Sequence, residues 1–326
     1  MITTSRFQPA WWLPGPHLQT LWPNLLRHPR VALRRERLEL PDGDFLDLDW
    51  TAGSRGPVAL ILHGLEGSSR SPYAAGLLNA LHRRGWRGVV MHARGCSGEP
   101  NRLPRRYHAG DTADLDYCLR ELRRREPHTP LAVVGYSLGG SVLLNWLAET
   151  STPRQIAAAV AVSVPFRLGA TADRLERGFS RLYQRALLRS LYRAVSAKHR
   201  VMNHPMAGAI DPMPPTFRAF DDAYTAPLHG FRGVDDYYRR ASCGPKLRRI
   251  RNPVLILQAA NDPFMDSTTL PAEEQLSENV TLEVSDAGGH VGFVAGSPFR
   301  PRYWLEERIP QYLDSRLQQG PNARPG

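Results

Sequence analysis

The chain has 326 residues, of which 42% are hydrophobic and 22% are charged, and its formal net charge is +11. These values are typical of a globular protein that is large enough to bury a sizeable core. The sequence has neither a run of about 18 apolar residues that could span a membrane nor the basic and apolar regions of a signal peptide at its start, so we expect a cytoplasmic protein.

Cysteine content and charge limit the cofactors and partners that we expect. Cys96, Cys118 and Cys243 are odd in number and lack CxxC spacing, which argues against a disulfide framework and a zinc site. We therefore expect reduced thiols without a catalytic role. More generally, the sequence implies no metal or organic cofactor. A positive charge of this size favours binding to phosphates. Because the arginines are spread along the chain without an aromatic-interleaved basic patch, we expect no nucleic-acid partner.

Short apolar segments alternate with longer segments of helical period along most of the chain. Residues 36–40 and 45–50, around a PDGD turn, predict an antiparallel hairpin at a sheet edge. Further strands are predicted at 57–63, 87–93, 131–136, 156–163, 253–259 and 280–285, and helices at 73–84, 112–125, 138–150 and 303–317. This alternation predicts an α/β fold with a mostly parallel, doubly wound sheet.

One block interrupts the alternation. Residues 166–246 contain no convincing buried strand, and their apolar residues recur at helical spacing, as at Leu175, Phe179, Leu182, Leu187 and Leu191. We expect a single domain over 1–326 with a helical cap inserted at 166–246. The tail, 318–326, is rich in Gly and Pro, and we expect it to be disordered.

The segment VVGYSLGGSVLLNWLAE, residues 133–149, places Ser137 in a G-x-S-x-G motif between a predicted strand and a predicted helix. Such a turn is typical of a nucleophile elbow, in which the small Gly135 and Gly139 let strand and helix approach. The helix that starts at Leu138 directs backbone N–H groups towards an oxyanion beside the serine. The motif alone is weak evidence, and its position at a strand–turn–helix junction strengthens it.

A nucleophilic serine needs a base, and the base needs an acid that orients it. In doubly wound hydrolases the three follow in the order Ser, Asp, His. Asp262 directly follows one predicted strand and His290 follows the next, so both are expected at the carboxyl edge of the sheet near Ser137. Asp266 and Asp286 remain alternative acids, although neither lies immediately beyond a strand.

An oxyanion hole needs a second donor from an early loop. The segment ILHGLEGSSRSPY, residues 61–73, follows a predicted strand that ends at His63, and Gly64 allows a turn that directs the Leu65 N–H at the site. The amides of Leu65 and Leu138 are therefore the candidate oxyanion donors. His63 either shapes this loop or transfers protons, and we favour the first.

The motifs resemble the α/β-hydrolase superfamily and, within it, the YheT-like or AB hydrolase-4 group of esterase-like proteins. The resemblance covers nearly the whole chain and rests on FQPAWWLPGPHLQTLWP (7–23), LHGLEGSS (62–69), ARGCSGEPNR (93–102), YHAGDTADL (107–115), VGYSLGG (134–140), FDDAYTAPLHGF (220–231), DYYRRAS (236–242), ANDPF (260–264) and GGHVGF (289–294). It implies an α/β-hydrolase fold and a charge-relay system at Ser137, Asp262 and His290. Relatives in this group resemble short- and medium-chain carboxylesterases, phospholipases and alcohol acyltransferases.

From these observations we expect a serine hydrolase that cleaves short- to medium-chain carboxylic esters through an acyl-enzyme. An alcohol acyltransferase or a phospholipase would use the same three residues, and a non-enzymatic binding protein is least favoured because all three positions are filled. We expect a small-molecule or lipid ester as substrate. Peripheral contact of the basic surface with an anionic membrane is a further expectation, and the sequence does not indicate an oligomeric state.

Overall fold

The structure is a computed structural model that describes residues 1–53, 55–150, 156–202 and 212–318. Among these residues, the main sheet has nine strands, which are β1 (Ile2–Thr4), β2 (Leu33–Glu39), β3 (Phe45–Thr51), β4 (Val58–Leu62), β5 (Arg87–Met91), β6 (Leu131–Tyr136), β7 (Ala158–Val162), β8 (Val254–Ala259) and β9 (Val280–Ser285). Their order across the sheet is β1-β9-β8-β7-β6-β4-β5-β3-β2. The sheet is parallel from β1 to β5 in this order.

The hairpin of β2 and β3 forms the edge of the sheet opposite β1. The two strands pair antiparallel, with Glu39 opposite Phe45 next to the turn, and β3 also pairs antiparallel with β5. Every residue of β4 to β8 is buried, because helices cover both faces of the sheet. The predicted α/β fold, its mostly parallel sheet and its edge hairpin are thereby confirmed.

Four helices cover the sheet, and each agrees within two residues with its predicted bounds. They are α2 (Pro72–His82), α3 (Ala113–Arg125), α4 (Leu138–Glu149) and α10 (Leu305–Gln318). Apolar residues of α2 and α10 pack on one face of the sheet, and those of α3 and α4 pack on the opposite face. Ile61 faces the first layer and its neighbours Leu60 and Leu62 face the second, as expected for successive residues of a strand.

The described residues between β7 and β8 form helices and turns without a strand. The helices are α5 (Leu168–Leu175), α6 (Ser180–Met202), α7 (Phe217–Phe220), α8 (Ala226–Leu228) and α9 (Val234–Ala241), with a π-helical turn at Asp221–Thr225. Their buried residues form a cluster of their own. The following turn, Gly244–Arg249, belongs instead to the main core, where Leu247 is buried in the layer that contains α4. Residues 203–211 lie outside the described residues.

Three elements near the ends were not predicted. They are β1, the helix α1 (Gly15–Leu26) and a small antiparallel hairpin of β10 (Val294–Ser297) and β11 (Arg300–Tyr303). The expected disordered tail needs one correction, because Gln318 is the last residue of α10. Residues 319–326 of that tail lie outside the described residues. Within the described ranges, every helix is too short or too polar to cross a bilayer.

Candidate active site

Ser137 lies in a sharp turn between β6 and α4. Its backbone has φ 50° and ψ −115°, a conformation that L-residues rarely adopt and that is typical of strained functional sites. The turn requires glycines, because a Cβ on Gly135 would lie 2.5 Å from the Gly139 carbonyl oxygen and a Cβ on Gly139 would lie 2.5 Å from that of Leu62. The GYSLG sequence thus builds a close strand-to-helix crossing that holds the serine hydroxyl at the carboxyl edge of the sheet.

Ser137, His290 and Asp262 form a continuous chain of hydrogen bonds. The Ser137 Oγ lies 3.0 Å from His290 Nε2, and His290 Nδ1 lies 2.8 Å from Asp262 Oδ2. Both His290 and Asp262 are buried. When Nδ1–H donates to the carboxylate, Nε2 carries the lone pair that accepts the serine proton. The three residues expected from sequence order therefore lie at hydrogen-bonding distance from one another.

The Asp262 carboxylate is fixed by more than His290. Its Oδ1 accepts a hydrogen bond from the Phe264 backbone N–H at 2.8 Å. The alternative acids are placed elsewhere: Asp266 and Asp286 are exposed, and Asp266 Oδ1 accepts from the Thr268 N–H at the start of a short 3₁₀ turn. The structure thus brings Asp262, and neither alternative, to the imidazole.

The loop that carries His290 is held by contacts from three other parts of the chain. The His290 backbone N–H donates to Thr20 Oγ1 of α1 at 2.9 Å, and the Val291 N–H donates to Ser163 Oγ at 3.0 Å. The Phe264 ring lies against the imidazole. Thus the base is positioned through its backbone as well as through its side chain.

Leu65 and Leu138 lie beside Ser137 in the wall of one cavity. The amides on both sides of Leu65 bind tyrosines, because the Gly64 N–H donates to Tyr73 Oη at 2.9 Å and the Glu66 N–H donates to Tyr107 Oη at 2.8 Å. Among the described residues, the Leu65 and Leu138 N–H groups have no acceptor. Two unengaged backbone donors near a serine hydroxyl are what an oxyanion hole requires.

His63 and Cys96 are near this site but are not suited to proton transfer or nucleophilic attack. Both ring nitrogens of His63 are engaged, Nδ1 with the Gly64 carbonyl at 2.7 Å and Nε2 with the Ala93 N–H at 3.0 Å, and burial lowers its pKa to about 4. Burial raises the pKa of the Cys96 thiol to about 12, so it is protonated at neutral pH. His63 therefore shapes the loop that follows β4, which is the role that we favoured from the sequence.

The cavity in front of Ser137 has a volume of about 910 Å³, its open mouth included. Its walls are mostly apolar and come from the core and from the helices between β7 and β8, including Leu168, Leu175, Leu187, Leu191, Phe217, Phe220 and Leu228. An apolar pocket that ends at a nucleophile suits an acyl chain. Within the described ranges, there is no group of three His, Cys, Asp or Glu side chains placed to hold a metal ion.

Several residues that hold the site in place were not predicted from the sequence. Thr20 and Ser163 bind the loop that carries His290, and Phe264 contacts both His290 and Asp262. Phe264 belongs to the ANDPF motif and Thr20 belongs to the GPHLQT motif, so both residues lie in recognisable segments of the sequence. Neither motif indicates which residue these side chains contact. Ser163 follows the last residue of β7 at the same sheet edge as Ser137, which is the one clue that could have identified it.

Comparisons with known proteins agree with this architecture. The sequence pattern of the α/β hydrolase fold matches residues 57–297. The chain is 44% identical to "Putative esterase YheT" of Escherichia coli K12, over 97% of this chain and 95% of that protein. It is 29% identical to "Phospholipase ABHD3" of Homo sapiens, over 98% of this chain and 81% of that protein. The crystal structure of the Pyrococcus furiosus esterase Pf2001 shares the fold, with a TM-score of 0.54, 16% identity and 97% coverage of both chains. The chain therefore belongs to the α/β-hydrolase family and, within it, to the YheT-like group.

Proposed function

We propose that the protein is a serine hydrolase that cleaves carboxylic esters with short- to medium-chain acyl groups. The observation that carries this proposal is the hydrogen-bonded chain from Ser137 Oγ through His290 to Asp262. The serine at one end of this chain lines an apolar cavity. The segment 166–246 serves as a cap, because its described helices supply much of the cavity wall.

The reaction proceeds through an acyl-enzyme. His290 Nε2 removes the Ser137 proton as the serine oxygen attacks the ester carbonyl, and the resulting oxyanion accepts hydrogen bonds from the Leu65 and Leu138 amides. His290 then gives its proton to the leaving alkoxide, and the alcohol departs. A water molecule, deprotonated by the same nitrogen, attacks the acyl carbon, and the acid leaves as the proton returns to Ser137. Asp262 holds the imidazole in the required tautomer throughout.

Hydrolysis of nitrophenyl esters of graded acyl length by the wild type and by Ser137→Ala tests this proposal. Loss of the nucleophile should lower kcat by several orders of magnitude and leave about 10³- to 10⁴-fold catalysis over water. Ser141→Ala is a matched control, because Ser141 is a buried serine of α4, the helix that follows Ser137, and its hydroxyl donates to the Pro165 carbonyl. A Ser137→Ala variant that keeps the wild-type rate would overturn the mechanism.

A phospholipase acting at a membrane surface is a second candidate, and the outer face of α6 favours it. Arg181, Arg185 and Arg189 recur there at intervals of four residues and are exposed, whereas Leu191 of the same helix lines the cavity. Phe179, just before α6, and Leu182, in its first turn, are exposed apolar residues. Basic and apolar side chains together suit an anionic lipid surface that lies close to the cavity.

Vesicles separate the two candidates. If the second candidate is right, the wild type hydrolyses phospholipid in vesicles that contain anionic lipid, and replacement of Arg181, Arg185 and Arg189 by Gln lowers that rate while nitrophenyl ester hydrolysis is retained. Hydrolysis of soluble esters without activity on any vesicle would leave the esterase proposal and reject the phospholipase.

A further inference from the structure

We propose that helix α1 is a brace for the proposed catalytic base, and that Gln19 and Thr20 are positioning residues for His290. Since it concerns the same base, this inference rests on the proposed function and deepens it. Both residues belong to the GPHLQT element, residues 15–20, which the mechanism has left without a role. We call residues 288–293 the histidine loop.

Thr20 binds the backbone of the base itself. Its hydroxyl donates to the Pro16 carbonyl at 2.7 Å, which fixes the rotation of the O–H bond. The same oxygen accepts the His290 N–H at 2.9 Å. One hydroxyl therefore joins the first turn of α1 to the residue whose imidazole contacts Ser137. Hydrogen bonds that fix the backbone of a catalytic residue restrict where its side chain can lie.

Gln19 forms hydrogen bonds with the backbone of Val294, the residue that follows the histidine loop. Its Oε1 accepts the Val294 N–H at 2.8 Å, and its Nε2 donates to the Val294 carbonyl at 3.0 Å. The Gln19 side chain is fully buried, with 0% exposure. A carboxamide that pairs with both backbone groups of one residue imitates a strand partner and fixes its position and orientation. Together, Gln19 and Thr20 hold the segment at His290 and at Val294.

The two segments also pack at backbone contact. A Cβ on Gly289 would lie 2.5 Å from the Pro16 carbonyl oxygen and 2.6 Å from Thr20 Oγ1, and a Cβ on Gly292 would lie 2.1 Å from the Gln19 carbonyl oxygen. The glycines on both sides of His290 are therefore needed for the close approach of α1. The GGHVGF motif and the GPHLQT motif, about 270 residues apart in the chain, form one contact.

The histidine loop needs such external support. Val291 and Phe293 have φ values of 61° and 48°, in the left-handed region that disfavours β-branched and bulky residues. Residues in this region persist only when their surroundings hold them there. A displacement of about 1 Å at a catalytic group can lower the rate roughly 100-fold. Loss of the α1 contacts should therefore affect the chemical step more than substrate binding, since Gln19 and Thr20 are not among the described residues that line the cavity.

Thr20→Val and Thr20→Ser separate positioning from folding. Valine keeps the shape of threonine and removes the hydroxyl, whereas serine keeps the hydroxyl. We expect Thr20→Val to lower kcat for a nitrophenyl ester about 10- to 100-fold with little change in KM, and Thr20→Ser to retain most of the activity. Gln19→Glu, which keeps the acceptor for Val294 and loses the donor, should behave like Thr20→Val. Leu25→Ala, at an exposed position of the same helix, is the control and should leave kcat unchanged.

A proton NMR readout makes the test specific for positioning. The Nδ1–H of His290 that donates to Asp262 should give a low-field signal in the wild type, which disappears in a His290→Gln reference. We expect this signal to shift or broaden in Thr20→Val and to return in Thr20→Ser, while thermal unfolding shows both variants to be folded at the assay temperature.

The possible outcomes separate this inference from the proposed function. Wild-type kcat and an unchanged low-field signal in Thr20→Val would overturn the inference that α1 positions His290, even if Ser137→Ala is inactive. A loss of activity that merely follows the folded fraction, with an unchanged signal in the folded molecules, would also overturn it. An active Ser137→Ala would instead reject the proposed function.

Discussion

The Phe264 ring lies flat against the imidazole of His290, with ring centroids 3.9 Å apart and an angle of 5° between the planes. The backbone N–H of the same phenylalanine binds Asp262. One residue therefore contacts both the proposed base and the acid that orients it. The stacked ring also lines the cavity, where it limits the directions in which the imidazole can turn.

Replacing Phe264 by alanine should lower kcat modestly and leave the acid in place. Aromatic pairs contribute about 0.5–1.5 kcal/mol beyond the area that they bury, which corresponds to a roughly 2- to 10-fold change in rate. We expect Phe264→Tyr, which keeps the ring, to retain near wild-type kcat. Steady-state kinetics of the two variants on one nitrophenyl ester measure the difference. Equal rates for alanine and tyrosine would show that stacking does not support the base.

Asp262→Asn should reduce kcat about 10⁴-fold, because an amide can donate to the imidazole and favour the wrong tautomer. Asp266→Asn is the matched control, since it changes a carboxylate of the same loop that is exposed and caps a short turn. We expect this control to keep wild-type activity. A larger loss of kcat in Asp266→Asn than in Asp262→Asn would show that Asp262 is not the acid that orients the base.

The length of the acyl chain should depend on residues of α6. Leu191 lines the cavity, so Leu191→Trp should exclude the longest acyl chains that the wild type accepts. Each buried methylene contributes about 0.8 kcal/mol, so loss of room for two would lower kcat/KM for such esters about 15-fold. Acetyl esters should be hydrolysed at the wild-type rate. Leu182→Trp adds the same ring on the exposed side of α6 and should leave the length profile unchanged.

Stability should depend on pH through His63. Burial lowers its pKa from 6.5 to about 4 in the folded protein, so between these values the unfolded chain binds more protons and the free energy of unfolding falls as the pH falls. The full effect is on the order of 3 kcal/mol. Urea unfolding at pH 7.5 and pH 4.5 can compare the wild type with His63→Gln. The stability advantage of the wild type should shrink at pH 4.5, and an advantage of equal size at both pH values would contradict this role.

The sequence predicted the centre of this fold better than its ends. Strands such as β6 and β8 are short, continuous apolar runs followed by turn residues, and this local pattern is visible without any partner. β1 is only three residues long and pairs with β9, whose residues lie 280 positions further along the chain, so it has no pattern of its own. Helix α1 contains Pro16 and Pro23, which weaken a helical signal.

In the candidate site, too, residues with a local sequence pattern could be predicted, whereas long-range contacts could not. Ser137, Asp262 and His290 could be selected because each follows a strand, and parallel strands bring their carboxyl ends to one edge. The contact of Thr20 with His290 joins residues 270 positions apart, and no local pattern encodes it. The shape of the cavity depends on how α5 to α9 pack over the sheet, which the helical period of 166–246 does not determine.

Trapping the acyl-enzyme tests the proposed mechanism most directly. The protein is mixed with a nitrophenyl ester, quenched in acid during the first turnovers and digested, and the peptides are analysed by mass spectrometry. We predict that the peptide containing Ser137 gains the mass of the acyl group in place of one hydrogen, and that Ser137→Ala gains none. An acyl group found on another residue, or nitrophenol release by Ser137→Ala at the wild-type rate, would contradict Ser137 as the nucleophile.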